Sequence, residues 1–274
     1  VSAFYAWNRS HYILEIRDII WRYFEYKTGV INRLLSFALS IMCTFSLRFF
    51  THIVTVTEGQ KNIVSNYIDI DKITVIGNGV DLQTYDALSN LKHCPQGKQI
   101  LYVGTVGYPQ NLDILLKAAK FCLEMDKPIS FIICGIGSEF TRLKSIAPTN
   151  VTFLGAVSFD DLLIHYSEST ILYAQLRNIP SLQTAEPTKT FEYASTGKPM
   201  ILGYQGNAEK LSQQFPTATI IEPDNIESLA KSIIEISHRF NPDSSKVSKN
   251  LVKDNYIREF TIQKYNIIID TILD

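Results

Sequence analysis

Gln99-Ile100-Leu101-Tyr102-Val103-Gly104-Thr105-Val106-Gly107 is an apolar run closed by two glycines, and a helical pattern over 111–125 follows it. The run has the length and the β-branched and aromatic content of a strand, and the glycines mark the turn into the helix. One unit later Ile133-Cys134-Gly135-Ile136-Gly137-Ser138-Glu139 repeats the arrangement at the end of the run 129–134. Strand, glycine turn, helix and strand make a βαβ unit, whose strands pair in parallel. Working outward, strands at 151–154, 170–174, 199–202 and 219–222 alternate with helical patterns at 138–146, 158–168, 188–196, 206–214 and 226–238. Upstream, strands at 11–16, 52–56 and 73–76 alternate with helical patterns at 30–50 and 58–67. The runs are mostly continuous and apolar, as expected when helices cover both faces of a sheet. The predicted class is α/β, with two Rossmann-like doubly wound parallel-sheet domains, the N-terminal one incomplete.

The predicted boundaries follow from this alternation. Residues 1–81 read as a partial N-terminal domain and 99–240 as a complete six-strand domain. Between them 82–98, with Asp86, Ser89, Asn90, His93, Pro95 and Gly97, reads as a linker. Within 241–274 the stretch 245–272 reads as one final helix packing back on the N-terminal part, with Val252, Tyr256, Phe260 and Ile267 on one stripe and Ile262, Tyr265, Ile269 and Ile272 on a second, so more than one face is expected to be buried. Three upstream strands and an opening Val1-Ser2-Ala3-Phe4-Tyr5, without Met, carry the expectation that an upstream part is missing and that the chain alone transfers little or nothing.

Composition narrows the function. Lys plus Arg (26) balances Asp plus Glu (27), so bulk charge gives no support to a nucleic-acid partner. Cys43, Cys94, Cys122 and Cys134 lack both metal-ligand spacing and the density of a disulfide framework, and the five histidines are scattered, so no metal site is expected. Asp69-Ile70-Asp71 precedes a strand and reads as a solvated turn. Val30–Phe50 is long enough to cross a bilayer, but Arg33, Ser36, Ser40 and Thr44 share a stripe, so it reads as an amphipathic helix packed on the domain. A surface-lying membrane role is the alternative, because basic residues flank both ends.

Three segments offer chemistry. Gly77-Asn78-Gly79-Val80-Asp81 follows a strand and closes the last N-terminal unit, where ligands bind in open α/β sheets; the plain alternative is a turn. Gly104, Thr105 and Gly107, and likewise Gly135 and Gly137, would let backbone N–H groups approach a phosphate, although tight turns alone also require such glycines. The most informative segment is Glu186-Pro187-Thr188-Lys189-Thr190-Phe191-Glu192-Tyr193-Ala194-Ser195-Thr196-Gly197-Lys198-Pro199-Met200-Ile201. Pro187 suits the first turn of a helix, which places Thr188, Lys189 and free backbone donors at one spot fit for a diphosphate, with Glu192 one turn on. The alternative is an i,i+3 Lys–Glu surface pair before a Gly197 cap.

This order of segments, the 186–201 motif above all, resembles the C-terminal two-thirds of a GT-B glycosyltransferase. It is most similar to the retaining family 4 group, in the bacterial polysaccharide, L-fucosamine-transferase-like branch, and Leu14-Glu15-Ile16-Arg17-Asp18 resembles a strand of that branch's N-terminal, acceptor-side domain. The resemblance implies transfer of a sugar from a UDP- or GDP-sugar to a glycan or polyprenyl-linked acceptor in surface polysaccharide synthesis, with no obligatory cofactor or metal. It implies the cytoplasm, extending to peripheral contact at the inner face of the plasma membrane. Carried over, Lys189 meets the donor diphosphate and Glu192 the ribose as the catalytic pair, Gly104, Thr105 and Gly107 line the phosphate side, and Gly135 and Gly137 the nucleotide side. Thr188 and Asn78 join this donor set. Two departures stand out: Thr184 occupies the position of the family's first glutamate, with Glu186 nearby but out of register, and Tyr108-Pro109-Gln110-Asn111 stands where a basic residue is common. A nucleotide-sugar epimerase or hydrolase of the same fold, or a non-catalytic donor-binding module needing a partner chain, are the alternatives.

Overall fold

A computed structural model describes residues 11–22, 29–92, 98–236 and 240–273. The chain forms two compact units: 1–78 with 179–186 and 259–274, and 79–178 with 187–258. His93, Cys94, Pro95, Gly97, His238 and the first residues Val1–Tyr5 lie outside the described residues.

The first unit holds a parallel sheet in the order β1 (Ile13–Ile16), β2 (His52–Thr55), β3 (Ile73–Val75), with Ile13 opposite His52 and Ile53 opposite Ile73. One group of buried side chains comprises Ile16, Ile19, Trp21, Leu47, Ile53, Val64 and Ile73. A second joins Val54 and Ile76 to Ile268 of the last helix. The segment 179–186 is fastened to this unit by two hydrogen bonds: Thr57 Oγ1 donates to the Thr184 carbonyl at 2.9 Å, and Asn78 Nδ2 to the Glu186 carbonyl at 2.7 Å.

Helix α1 (Val30–Ser46) departs from the expectation of a packed helix: none of its residues is buried. Its sparsely packed inner stripe is Asn32, Ser36, Leu39, Ser40, Cys43 and Thr44, of which Leu39 and Cys43 touch the core. The apolar face points outward, with Ile31 74%, Phe37 67% and Met42 64% exposed. Ser36, Ser40 and Thr44 of the polar stripe found in the sequence are therefore on the inner side, the reverse of an ordinary surface helix, while Arg33 is exposed.

The second unit holds six parallel strands in the order β6-β5-β4-β7-β8-β9. These are β4 (Gln99–Val103), β5 (Ser130–Cys134), β6 (Val151–Gly155), β7 (Ile171–Gln175), β8 (Met200–Gly203) and β9 (Ala218–Ile220). All four residues of β8 and all five of β7 are buried, which is why both read as unbroken apolar runs. Strand order advances one way from β4 to β6 and the other way from β7 to β9, so the direction switches between β4 and β7.

Two boundaries differ from the sequence reading. Leu82–Ser89 is a helix (α3), not a linker: Asp81 Oδ1 accepts from Thr84 N at 2.9 Å as its cap, and Tyr85 and Leu88 are buried. The C-terminal stretch is two helices, Pro242–Asn255 and Arg258–Leu273, interrupted where Val80 bridges Ile257. The first of them belongs to the second unit and most of the other to the first. Phe260 and Ile267 are exposed, so the single stripe drawn through both halves does not exist.

Candidate active site

In an open α/β sheet a ligand crevice opens beyond the carboxyl ends of the strands where their order switches. Here that point lies past β4 and β7, and three chain segments meet there. The first is the turn after β4. Gly104 has φ +131°, a conformation that disfavours any side chain, and a Cβ there would come 2.7 Å from Lys189 Nζ. The second is the turn after β5, packed onto the first backbone to backbone. A Cβ at Gly135 would strike the Gly104 carbonyl and one at Gly137 the Val106 carbonyl. Gly104 N donates to the Cys134 carbonyl and Val106 N to the Ile136 carbonyl, both at 2.9 Å. Gly135 and Gly137 thus serve first to let two loops touch. Gly107 is buried, while Thr105 is exposed and its carbonyl accepts from Tyr102 Oη at 2.6 Å.

The third segment is helix α7 (Lys189–Thr196), which ends at Gly197 in the left-handed conformation, φ +67°. Tyr193 locks the helix to both central strands: its Oη accepts from Val103 N at 3.0 Å and donates to the Tyr173 carbonyl at 3.1 Å. Thr188 is the exposed N-cap residue, and its hydroxyl makes no capping bond. Lys189 is half-buried as a residue, but its ammonium is enclosed. Nζ donates to Tyr102 Oη at 2.9 Å and sits 4.0 Å above that ring. Burial lowers the Lys189 pKa to about 7, while Glu192 opposes the shift. Burial raises the Glu192 carboxyl above its ordinary range; Lys189 and the hydrogen bond from Tyr166 Oη, at 3.4 Å, pull it back. Lys189 and Glu192 are therefore a pair of enclosed, pKa-shifted groups at a sheet switch point, not the exposed i,i+3 pair of the plain alternative.

The structure brings Gly104, Thr105, Gly107, Gly135, Gly137, Thr188, Lys189 and Glu192 into one unit. Asn78 and Glu186 fall in the first unit, where the Asn78 side chain is engaged with the Glu186 carbonyl. Among the described residues no group of three or more His, Cys, Asp or Glu side chains is placed to hold a metal ion.

Sequence reasoning passed over several residues beside this crevice. Tyr102 reads as one more apolar strand position, yet it is the partner of Lys189. Asp224 gathers the Asn111 side chain at 2.5 Å, Gln175 Nε2 at 3.3 Å and the Asn178 N–H at 3.1 Å, tying three loops together. Arg177, two residues past β7, lays its guanidinium 4.1 Å from the Tyr108 ring centroid. It also donates from Nε to the Tyr108 carbonyl at 3.2 Å and from its backbone N to the Pro109 carbonyl at 2.7 Å. No spacing rule links such residues; only the fold does.

A structure of a glycosyltransferase from Rickettsia africae ESF-5 is similar with a TM-score of 0.65 at 19% identity, over 82% of this chain and 64% of that one. Anabaena HepE in complex with UDP-glucose gives 0.70 at 14% identity, over 96% of this chain and 73% of that one. Sucrose-phosphate synthase from Thermosynechococcus elongatus gives 0.71 at 14%, over 95% and 67%. The chain thus spans under two thirds of the Rickettsia protein. Among curated proteins no sequence relative matches. The family described as "Glycosyl transferases group 1" matches residues 89–253. That stretch is more than half of the chain and contains the whole crevice, so the protein, built on a GT-B type of α/β fold, belongs to the group 1 glycosyl transferases.

Proposed function

We propose that this protein transfers a sugar from a nucleotide-sugar donor to a glycan or lipid-linked acceptor, and that the second unit holds the donor. The observation that carries this reading is the enclosed Lys189 at the start of α7, against the glycine turn at the sheet's switch point. A diphosphate placed there meets backbone N–H groups at a helix start and one cation, which together stabilise the charge that grows on the leaving group as the glycosidic bond breaks. Glu192, one turn on, accepts hydrogen bonds from the ribose hydroxyls. HepE with UDP-glucose, and TarM from S. aureus with UDP and α-GlcNAc-glycerol, favour UDP over GDP as the carrier. Retention of configuration, the family 4 assignment with its L-fucosamine-transferase-like branch, and a role in bacterial surface polysaccharide synthesis belong to the same reading, without a required metal or cofactor.

Lys189→Ala tests it. UDP affinity should fall by about 1.5–3 kcal/mol, the usual loss of a charge-assisted contact, while uridine affinity stays nearly unchanged. Equal losses for both ligands would show that Lys189 does not read phosphate.

The same reading places the protein at the cytoplasmic face of a membrane, where a lipid-linked acceptor resides, with α1 as the contact. Its outward face is apolar, Arg33 and Arg48 flank it, and no acidic residue occurs between Glu25 and Glu58, which suits an anionic surface. A helix over Val30–Phe49 is long and apolar enough to span a bilayer. It joins β1 to β2, which are paired neighbours in one sheet, and this supports a helix lying along the surface over one that crosses.

A further inference from the structure

Lys189 alone is a thin provision for a donor. A nucleotide-sugar carries a negative charge on each of its two phosphates, and the ammonium that meets them is one enclosed group shared with Tyr102 and Glu192. A second permanent cation stands at the same switch point. Arg177 follows β7, while Gly104 and Gly107 follow β4, and these two strands pair side by side, Ile100 with Ile171 and Leu101 with Leu172. The Arg177 backbone and side chain are both fastened to the short loop directly after Gly107, through Pro109 and Tyr108. Stacking on Tyr108 fixes the plane of the guanidinium, and Nε is satisfied by the Tyr108 carbonyl. Its two terminal nitrogens make no hydrogen bond among the described residues. A guanidinium held flat by one edge, with no hydrogen bond on its outer edge and only an electrostatic contact to Asp113, whose carboxylate is itself paired with Arg142, is prepared for bidentate contact with an oxyanion, and unlike a lysine it stays charged when enclosed.

We infer that Arg177 is a donor-binding residue that contacts the diphosphate of the nucleotide-sugar, presented by Tyr108 and acting beside Lys189. This rests on the donor reading given above. Asn178, the next residue, is anchored by Asp224, which holds the base of the arginine in place.

The test measures dissociation constants of UDP, GDP and uridine for the parent protein and for Arg177→Gln, Arg177→Lys and Lys189→Ala, at low and high ionic strength. The expected result is that Arg177→Gln weakens UDP about 10- to 100-fold and uridine less than about twofold. Its UDP affinity should also depend less on salt than the parent's. Arg177→Lys should recover part of the loss, since it keeps the charge but not the planar fork. A purely structural arginine gives a different pattern: equal losses for UDP and uridine, an unchanged salt dependence and a lowered melting temperature, and that pattern would overturn the assignment. If Lys189→Ala loses UDP while Arg177→Gln does not, the donor reading stands and this inference falls. If the parent binds neither UDP nor GDP, both fall together.

Discussion

Lys189 is where burial and function meet. In water a lysine keeps its proton until pH exceeds about 10; here enclosure against Tyr102 brings the pKa to about 7, so near neutrality the ligand-free protein holds a mixture of ammonium and amine. Only the ammonium attracts phosphate, and a bound diphosphate raises the pKa. Affinity is therefore full below the free-protein pKa and is lost as pH rises through it toward the higher value of the complex. UDP-glucose, whose diphosphate does not titrate in this window, should bind about ten- to thirtyfold more weakly at about pH 8.5 than at about pH 6. Calorimetry at the two pH values, with proton uptake read from buffers of different ionisation enthalpy, checks this. A flat affinity with no proton uptake would mean that the amine does not meet the diphosphate.

At the scale of elements, α1 and α3 show how one sequence pattern supports two orientations. The stripe of Arg33, Ser36, Ser40 and Thr44 announces an amphipathic helix, but periodicity carries no sign for which face turns inward. The core selects the inner face by what it touches, Leu39 and Cys43, and leaves Leu34 and Phe37 outside. Burying one such side chain in a bilayer contributes about 1.5–3 kcal/mol. Leu34→Glu with Phe37→Glu should therefore reduce binding to vesicles containing anionic phosphatidylglycerol by tenfold or more, while the melting temperature stays within about 2 °C because both positions are exposed. Flotation with anionic and neutral vesicles is the measurement. Failure of the parent to float, together with concentration-dependent self-association, would assign this face to a second protein copy instead. Helix α3 is legible only after the fact: Asp81 is a proper N-cap, but its buried positions are two, Tyr85 and Leu88, too few to stand out against turn residues.

At the scale of the whole molecule, the chain passes between its two units four times, at 78/79, 178/179, 186/187 and 258/259. The short excursion 179–186 belongs to the first unit although the residues on either side of it line the crevice of the second. If the donor occupies the second unit, hydrogen exchange with UDP-glucose near a hundred times its Kd should show a stabilisation of about 2.7 kcal/mol for the unit that holds it. Protection should concentrate in 102–110, 133–140 and 187–197, with 52–78 unchanged. Equal protection of 52–78 would move the donor out of the second unit. The sequence by itself determined the parallel α/β architecture, because a strand covered on both faces reads as a nearly continuous apolar run, and Phe131–Cys134 and Ile171–Ala174 are such runs. It also determined the helix near Lys189 and its Gly197 end, since a left-handed residue favours glycine, although Pro187 falls just before the Thr188 N-cap and not in the first turn. Tertiary structure alone decided that Tyr102 underlies Lys189, that Arg177 stacks on Tyr108, and that Asn78 holds Glu186. Those pairs are separated by dozens of residues, and only the strand order, which is set by the summed burial of many side chains, fixes which loops become neighbours.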